Sequence, residues 1–198
     1  MENRIRRVDV SDAQAVRAIY GPFITDSATS FEAAVPDLTE MARRIQVQID
    51  QYPWLVFERD GTILGYAYAS AHRTRKAYQW CVEVSVYVHP EAHRCGVGRA
   101  LYTALLDLLR RQRYVNAYAG ITLPNPSSVG LHESFGFVPI GVFRQIGFKF
   151  DQWHDVIWLH LRLTQDPQPV SDPVPVANLW QDESVTALFT ACARSVRL

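Results

Sequence analysis

Val84-Ser85-Val86-Tyr87-Val88-His89-Pro90, followed by His93-Arg94-Cys95-Gly96-Val97-Gly98-Arg99-Ala100-Leu101, is an apolar strand-like run that feeds a glycine-bearing loop and then an amphipathic segment. A helix starting at such a loop presents unpaired backbone N–H groups and the positive end of its dipole, which suits a pyrophosphate. A nucleotide-hydrolase loop would need Lys-Ser/Thr after its last glycine, and Arg99-Ala100 stand there instead. A dinucleotide-binding loop would need a third glycine where Leu101 stands. Taken alone, the glycine pair fits an ordinary tight turn before a helix equally well.

Outward from the loop, residues 78–88 alternate. Trp80, Val82, Val84, Val86 and Val88 fall on one face and Cys81, Glu83, Ser85 and Tyr87 on the other, which predicts a long central strand. Asp60-Gly61 between the apolar runs 54–58 and 62–69 predicts a β-hairpin, because glycine accepts the positive φ that tight hairpin turns need. Residues 5–8 read as a first strand. Ser11-Asp12-Ala13-Gln14 has the spacing of a capping box ahead of a helix bearing Val16, Ile19 and Tyr20. Asp37 and Glu40 open a second helix, with Met41, Ile45 and Ile49, that stops before Pro53. Residues 117–123, 138–150 and 156–163 read as strands and 127–135 as a short helix, so the class is α/β with a mixed sheet.

Composition changes at Thr164. Pro167, Pro169, Pro173 and Pro175 make a stiff linker that cannot enter a sheet interior, so the expected division is a domain over 1–163 and a tail over 164–198. In that tail Val185, Leu188, Phe189, Cys192 and Val196 share one helical face, predicting an amphipathic helix that packs on its own domain or a dimer mate, or serves as a partner-binding tail.

At 198 residues, with 48% hydrophobic, the chain is long and apolar enough for a substantial core. Lys plus Arg and Asp plus Glu are 20 each, so no global field draws nucleic acid or an anionic membrane. Cys81, Cys95 and Cys192 lack the spacing of a disulfide framework or zinc site, so no metal is expected and a reducing cytoplasm is the default location. No signal core follows Met1-Glu2-Asn3-Arg4, and no run approaches the roughly 20 apolar residues needed to span a bilayer. The expectation is a soluble protein.

The run from Val84 to Leu101 resembles the acetyl-CoA motif of the GNAT N-acetyltransferase superfamily. Ser30-Phe31-Glu32, Tyr52-Pro53-Trp54-Leu55-Val56, Ala77-Tyr78-Gln79-Trp80, Leu123-Pro124-Asn125, Leu131-His132-Glu133, Gly136-Phe137, Gly147-Phe148-Lys149 and Trp153-His154-Asp155-Val156 look like phosphinothricin N-acetyltransferases in order and spacing. The resemblance covers residues from near 4 to near 163. It implies the GNAT acyl-CoA N-acyltransferase fold, a twisted, mostly antiparallel sheet flanked by helices. It also implies acetyl-CoA as co-substrate, a small amino acid analogue such as phosphinothricin or methionine sulfoximine as acceptor, and a homodimer. One departure stands out: the family's loop usually begins with Gln or Arg, and this chain has His93.

Acetyl transfer to an amine needs a neutral nucleophile, a donor for the thioester oxygen and a proton source for the leaving thiolate. Glu83 is a carboxylate among valines, costly to bury unpaired, so it faces a cleft or pairs on the open side of the sheet. The resemblance implies that it is the general base, acting through water. It further implies that backbone N–H groups of Val86, Tyr87 and Val88 polarise the thioester, and that Arg94, Cys95, Gly96, Val97, Gly98 and Arg99 hold the pyrophosphate. Asn125 reads as a helix cap from its sequence and as a cofactor contact from the resemblance. His132 stands where many superfamily members carry a tyrosine that protonates the thiolate; a lone helical histidine otherwise serves as a structural hydrogen-bonder. The basic run His72-Arg73-Thr74-Arg75-Lys76 is a solvated loop or, by resemblance, the acceptor loop, in which Arg73 and Arg75 grip an acid group and Phe31 and Tyr78 form an apolar wall. Cys81 shares a face with Glu83, so an acetyl-cysteine route is open beside direct transfer, as is an activated thiolate at Cys95. Other functions on the same fold are acetylation of a peptide or protein amino terminus and acyl-CoA binding without catalysis.

Overall fold

The computed structural model describes residues 2–165 and 171–197. Pro167 and Pro169 of the expected linker lie outside the described residues. The chain runs β1 (Asn3–Arg7), α1 (Ala13–Thr25), α2 (Leu38–Gln46), β2 (Trp54–Arg59), β3 (Thr62–Ala71), β4 (Cys81–Val88), α3 (Val97–Arg111), β5 (Asn116–Thr122), α4 (Pro126–Glu133), β6 (Val138–Lys149), β7 (Gln152–Arg162) and α5 (Glu183–Arg194). One seven-stranded sheet has the order β1-β2-β3-β4-β5-β7-β6. Every neighbouring pair is antiparallel except β4 with β5. This is the α/β class with a mixed sheet that the sequence predicts, in the mostly antiparallel form that the resemblance implies.

Alternation along the central strands separates two hydrophobic layers. On one face Ala67, Ala69, Val82, Val84 and Ala117 pack against Leu101, Ala104, Leu105 and Leu108 of α3. On the other, Trp54, Val56 and Tyr66 meet Val16 and Ile19 of α1 and Met41 and Ile45 of α2. Beyond the linker, Val185, Cys192, Ala193 and Val196 join the α3 layer, so the terminal helix shares the core of the domain before it. Val174 donates its N–H to the Gln112 carbonyl, and buried Gln112 bonds the Gln51 and Val174 carbonyls in return.

Four local expectations need correction. The first helical segment is capped by Asp9 rather than Ser11: Asp9 accepts from the Ser11 N–H, and Asp12 reaches back to the Asp9 N–H across a 3₁₀ turn. Aspartate at both ends completes the reciprocal pair, leaving Gln14 exposed on α1. Ile49 follows the end of α2 instead of riding on it, yet still packs on the same layer. The central strand begins at Cys81, because residues 76–78 form a 3₁₀ turn that places Tyr78 ahead of the sheet. Strand β7 starts at Gln152, four residues earlier than expected, and pairs with β6 through a tight turn in which Phe150 and Asp151 take φ of 51° and 57°. Apart from exposed Trp153, that early part of β7 is polar, and it projects beyond the core, so it carries no apolar alternation to read. The arm is tied back by the Lys149 ammonium, which donates to the Ile24 and Ser30 carbonyls at 2.6 Å each.

Candidate active site

The site is built where the sheet opens. Strands β4 and β5 pair only at Cys81↔Asn116, Val82↔Ala117 and Glu83↔Tyr118, whereas β4 stays paired with β3 as far as Val88. Beyond Glu83 the two strands part around a slot of about 60 Å³ lined by Ser85, Val86, Gly120, Asn125, Ser128 and His132, among others. A roomier depression of about 720 Å³ lies along β1 and α5, but no strand pairing is broken there and Glu83 and His132 are absent from its walls. The His89 N–H bonds the Leu64 carbonyl of β3. By alternation the N–H of Tyr87 also faces β3, while those of Val86 and Val88 face the opening. The Tyr87 ring turns away into an aromatic cluster, 5.0 Å from Tyr20, 5.1 Å from Phe23 and 5.2 Å from Tyr66.

The glycine loop borders the same opening. Gly96 sits at the N-cap of α3 with φ +96°, where a Cβ would be strained, and Arg94 shares the left-handed region at +62°. No side chain caps α3, so the N–H groups of its first turn keep free orientation toward an anion. Gly98 lies where α3 approaches β4 and α4, and a Cβ there would make ordinary contacts of 3.5–3.9 Å with Leu131, Val88 and Val86. His93 Nε2 donates to the Val88 carbonyl at 3.0 Å and so closes the strand end. Arg94 is exposed, whereas the Arg99 guanidinium is engaged by the Ser134 hydroxyl at 2.9 Å and lies over the Phe135 ring at 5.3 Å. Val97 is buried, and Cys95 bonds the His93 carbonyl through its thiol.

On the far wall Asn125 caps α4, accepting from the Ser128 N–H at 3.1 Å. His132 is only 3% exposed. Its Nδ1 lies 2.7 Å from the Ser128 carbonyl and must donate there, so in the neutral ring Nε2 accepts from the Tyr102 hydroxyl at 2.9 Å. Burial lowers its pKa below the ordinary histidine value, which keeps the ring neutral at neutral pH, and burial likewise pushes the Tyr102 hydroxyl up.

Glu83 lies on the opposite face of β4 from the α3 layer, at the last paired position before the strands part. Its carboxylate meets His72 Nδ1 at 2.9 Å. The His72 ring stacks on Tyr118 with centroids 4.5 Å apart, and Tyr118 stacks on His160 at 5.0 Å. Trp158 lies flat across Gly120, where an added Cβ would meet its ring at 3.3 Å. Tyr78 and Phe31 are both partly exposed at the borders of this face. A Cβ at Gly147 would run into the Phe31 ring, so that glycine admits the ring beneath the β6–β7 arm. Arg73 and Arg75 project into solvent from the loop before the 3₁₀ turn and make no bond with Glu83. Cys81 is bonded by Asn116, and burial raises its thiol pKa, which disfavours a thiolate nucleophile.

Sequence reasoning singled out Glu83 and His132 but passed over His72 as a ligand-facing group, and it missed Tyr102, Tyr118 and Trp158. Tyr118 carried a faint signal, as an aromatic between alanines on the strand next to the central one, whereas Trp158 stands among aliphatic residues of β7 and carried none. Tyr102 carried none, since it reads as an ordinary core position of α3.

Residues 5–158 match the family model described as an acetyltransferase (GNAT) domain. The chain is 38% identical over 168 residues to the phosphinothricin N-acetyltransferase of Streptomyces viridochromogenes, covering 84% of this chain and 92% of that protein. It is 33% identical to the L-methionine sulfoximine/L-methionine sulfone acetyltransferase of Salmonella typhimurium, covering 83% and 97%. Its fold superposes with a TM-score of 0.80, at 32% identity, on a GNAT superfamily phosphinothricin acetyltransferase from Sinorhizobium meliloti solved with acetyl-CoA, covering 88% and 94%.

Proposed function

The chain belongs to the GNAT acetyltransferase family, and from that premise we propose that it transfers acetyl directly from acetyl-CoA to the amino group of a small amino acid analogue of the phosphinothricin or methionine sulfoximine type. The observation that carries this reading is the parting of β4 from β5 with a carboxylate at the last paired position. Acetyl-CoA, when bound, supplies the thioester carbonyl that the amine attacks.

The first-turn N–H groups of α3 and the left-handed Gly96 receive the pyrophosphate. The N–H groups of Val86 and Val88 face the opening and hydrogen-bond the carbonyl oxygen as it gains charge. Glu83 takes one proton from the acceptor ammonium through water, since only the neutral amine has a lone pair to attack. The nitrogen's second proton balances the departing thiolate. Tyr102 and His132, joined at the slot, form the pair assigned to hold that side of the proton path. Arg73 and Arg75 grip the acceptor's acid group, and Phe31 and Tyr78 flank its side chain. The raised thiol pKa of Cys81 supports direct transfer over an acetyl-cysteine.

A thiol-release assay with acetyl-CoA against phosphinothricin, methionine sulfoximine, plain amino acids and short peptides tests the assignment. Turnover is expected with the first two; turnover with peptides alone, or tight acetyl-CoA binding without any turnover, would replace this reading by one of the two other functions of the fold. Glu83→Gln is expected to lower kcat/KM by about 10²–10⁴-fold with unchanged acetyl-CoA affinity. An equal loss in both would make Glu83 a structural residue.

A further inference from the structure

Resting on the reading of Glu83 as the base, we infer that His72 is a positioning residue that fixes the orientation of the Glu83 carboxylate through Nδ1–H while its ring is locked by the aromatic wall of the acceptor site. The Glu83 side chain is 35% exposed, and a long carboxylate on an open sheet face samples several rotamers unless something holds it. His72 is far less free, at 14%. Its ring stacks on Tyr118 at an interplanar angle of 20°, while Trp158 and Tyr78 each meet it edge-on at 76°. Three rings from β5, β7 and the 3₁₀ turn thus set the imidazole plane before Glu83 is considered. The 2.9 Å contact joins a carboxylate to a partner that is already in place.

The chemistry of the pair follows from which atoms meet. An ionised carboxylate only accepts, so the proton at the contact belongs to Nδ1, and in the neutral ring Nε2 is left as an acceptor. The bond engages one carboxylate oxygen, Oε1, and so sets the direction from which the carboxylate can take a proton. The ionisable groups facing the imidazole are Glu83 from β4, Tyr118 from β5 and Tyr78 from the 3₁₀ turn. Trp158 faces it from β7 without titrating, and Arg73 and Arg75 follow on its own loop. Of these, Glu83 is the group within hydrogen-bond distance of the ring.

The test separates the bond from the stacking. His72→Phe preserves a ring against Tyr118 but removes the donor, whereas His72→Asn places an amide N–H close to where Nδ1 stands, and His72→Gln projects its amide further out. Nitrogen-15 spectra of the ligand-free protein, assigned with His72→Phe, are expected to show the His72 ring as the Nδ1–H tautomer. In His72→Phe kcat should fall about tenfold while acetyl-CoA affinity stays level. His72→Asn should recover most of that loss and His72→Gln little. If the ring carries its proton on Nε2 alone, or if Asn and Phe behave alike, the positioning role is wrong. Full turnover in Glu83→Gln would instead overturn the base assignment, and the ligand-free spectra would still report whether His72 donates to that carboxylate.

Discussion

The two sides of β4 are made from consecutive residues of one strand and share almost nothing chemically. Val82 and Val84 are buried against α3 in an aliphatic layer, whereas Glu83, Ser85 and Tyr87 look toward tyrosines, histidines and the mouth of the slot. Period-two alternation lets one strand serve as core and as reactive wall together. The aliphatic side sets where the backbone runs, and the polar side then inherits positions accurate enough for chemistry. Two substitutions one residue apart should therefore fail in different ways.

The largest effect is expected at Val82→Asp. It places an unpaired carboxylate in a fully buried site and should cost several kcal/mol, removing the cooperative thermal transition and all activity together. Glu83→Gln, its neighbour, should lose turnover while melting as before; if both variants unfold alike, the division of the strand is wrong. A milder probe is Gly96→Ala. Forcing a Cβ into a left-handed position should cost about 1–2 kcal/mol and weaken acetyl-CoA binding while sparing the acceptor KM, read by calorimetry and steady-state kinetics. Asn125→Ala removes the α4 cap for about 1 kcal/mol, measurable in urea unfolding. Smallest is the pH effect of His132. Its folded pKa lies below the ordinary value near 6.5, so the unfolded chain takes up a proton first on acidification. The stability it contributes is full above that value and falls as pH drops from there toward the folded pKa. His132→Phe should flatten this dependence in melts taken across the window.

How far the sequence reaches also differs between the two sides. The aliphatic side was readable because burial imposes a period: Val82, Val84 and the α3 leucines repeat at their elements' spacings. The Asp60-Gly61 hairpin was readable for a related reason, since its φ values of 48° and 82° are those that turn residues tolerate. The polar side was readable only in part. The family pattern points to Glu83 and His132, but the approach of His72 to Glu83 depends on the register in which β3 pairs with β4, with Ser70 opposite Glu83 and the His72 N–H on the Cys81 carbonyl, which neither strand encodes locally. The capping box was misplaced because two aspartates compete with Ser11 for the same orphan donors. The start of β7 was missed because an arm projecting past the core has no buried face to pattern it.

The segment beyond the family match touches the stretches that lead into and out of β4. Ser171 accepts from Trp80, Asp172 reaches Lys76 and Gln79 beside the basic loop, and the Arg197 N–H bonds the Cys95 carbonyl inside the glycine loop at 2.9 Å. The amide proton at position 197 is therefore a built-in reporter. It exchanges with solvent only when that contact breaks, so its protection in deuterium oxide counts how often the terminal segment and the glycine loop separate.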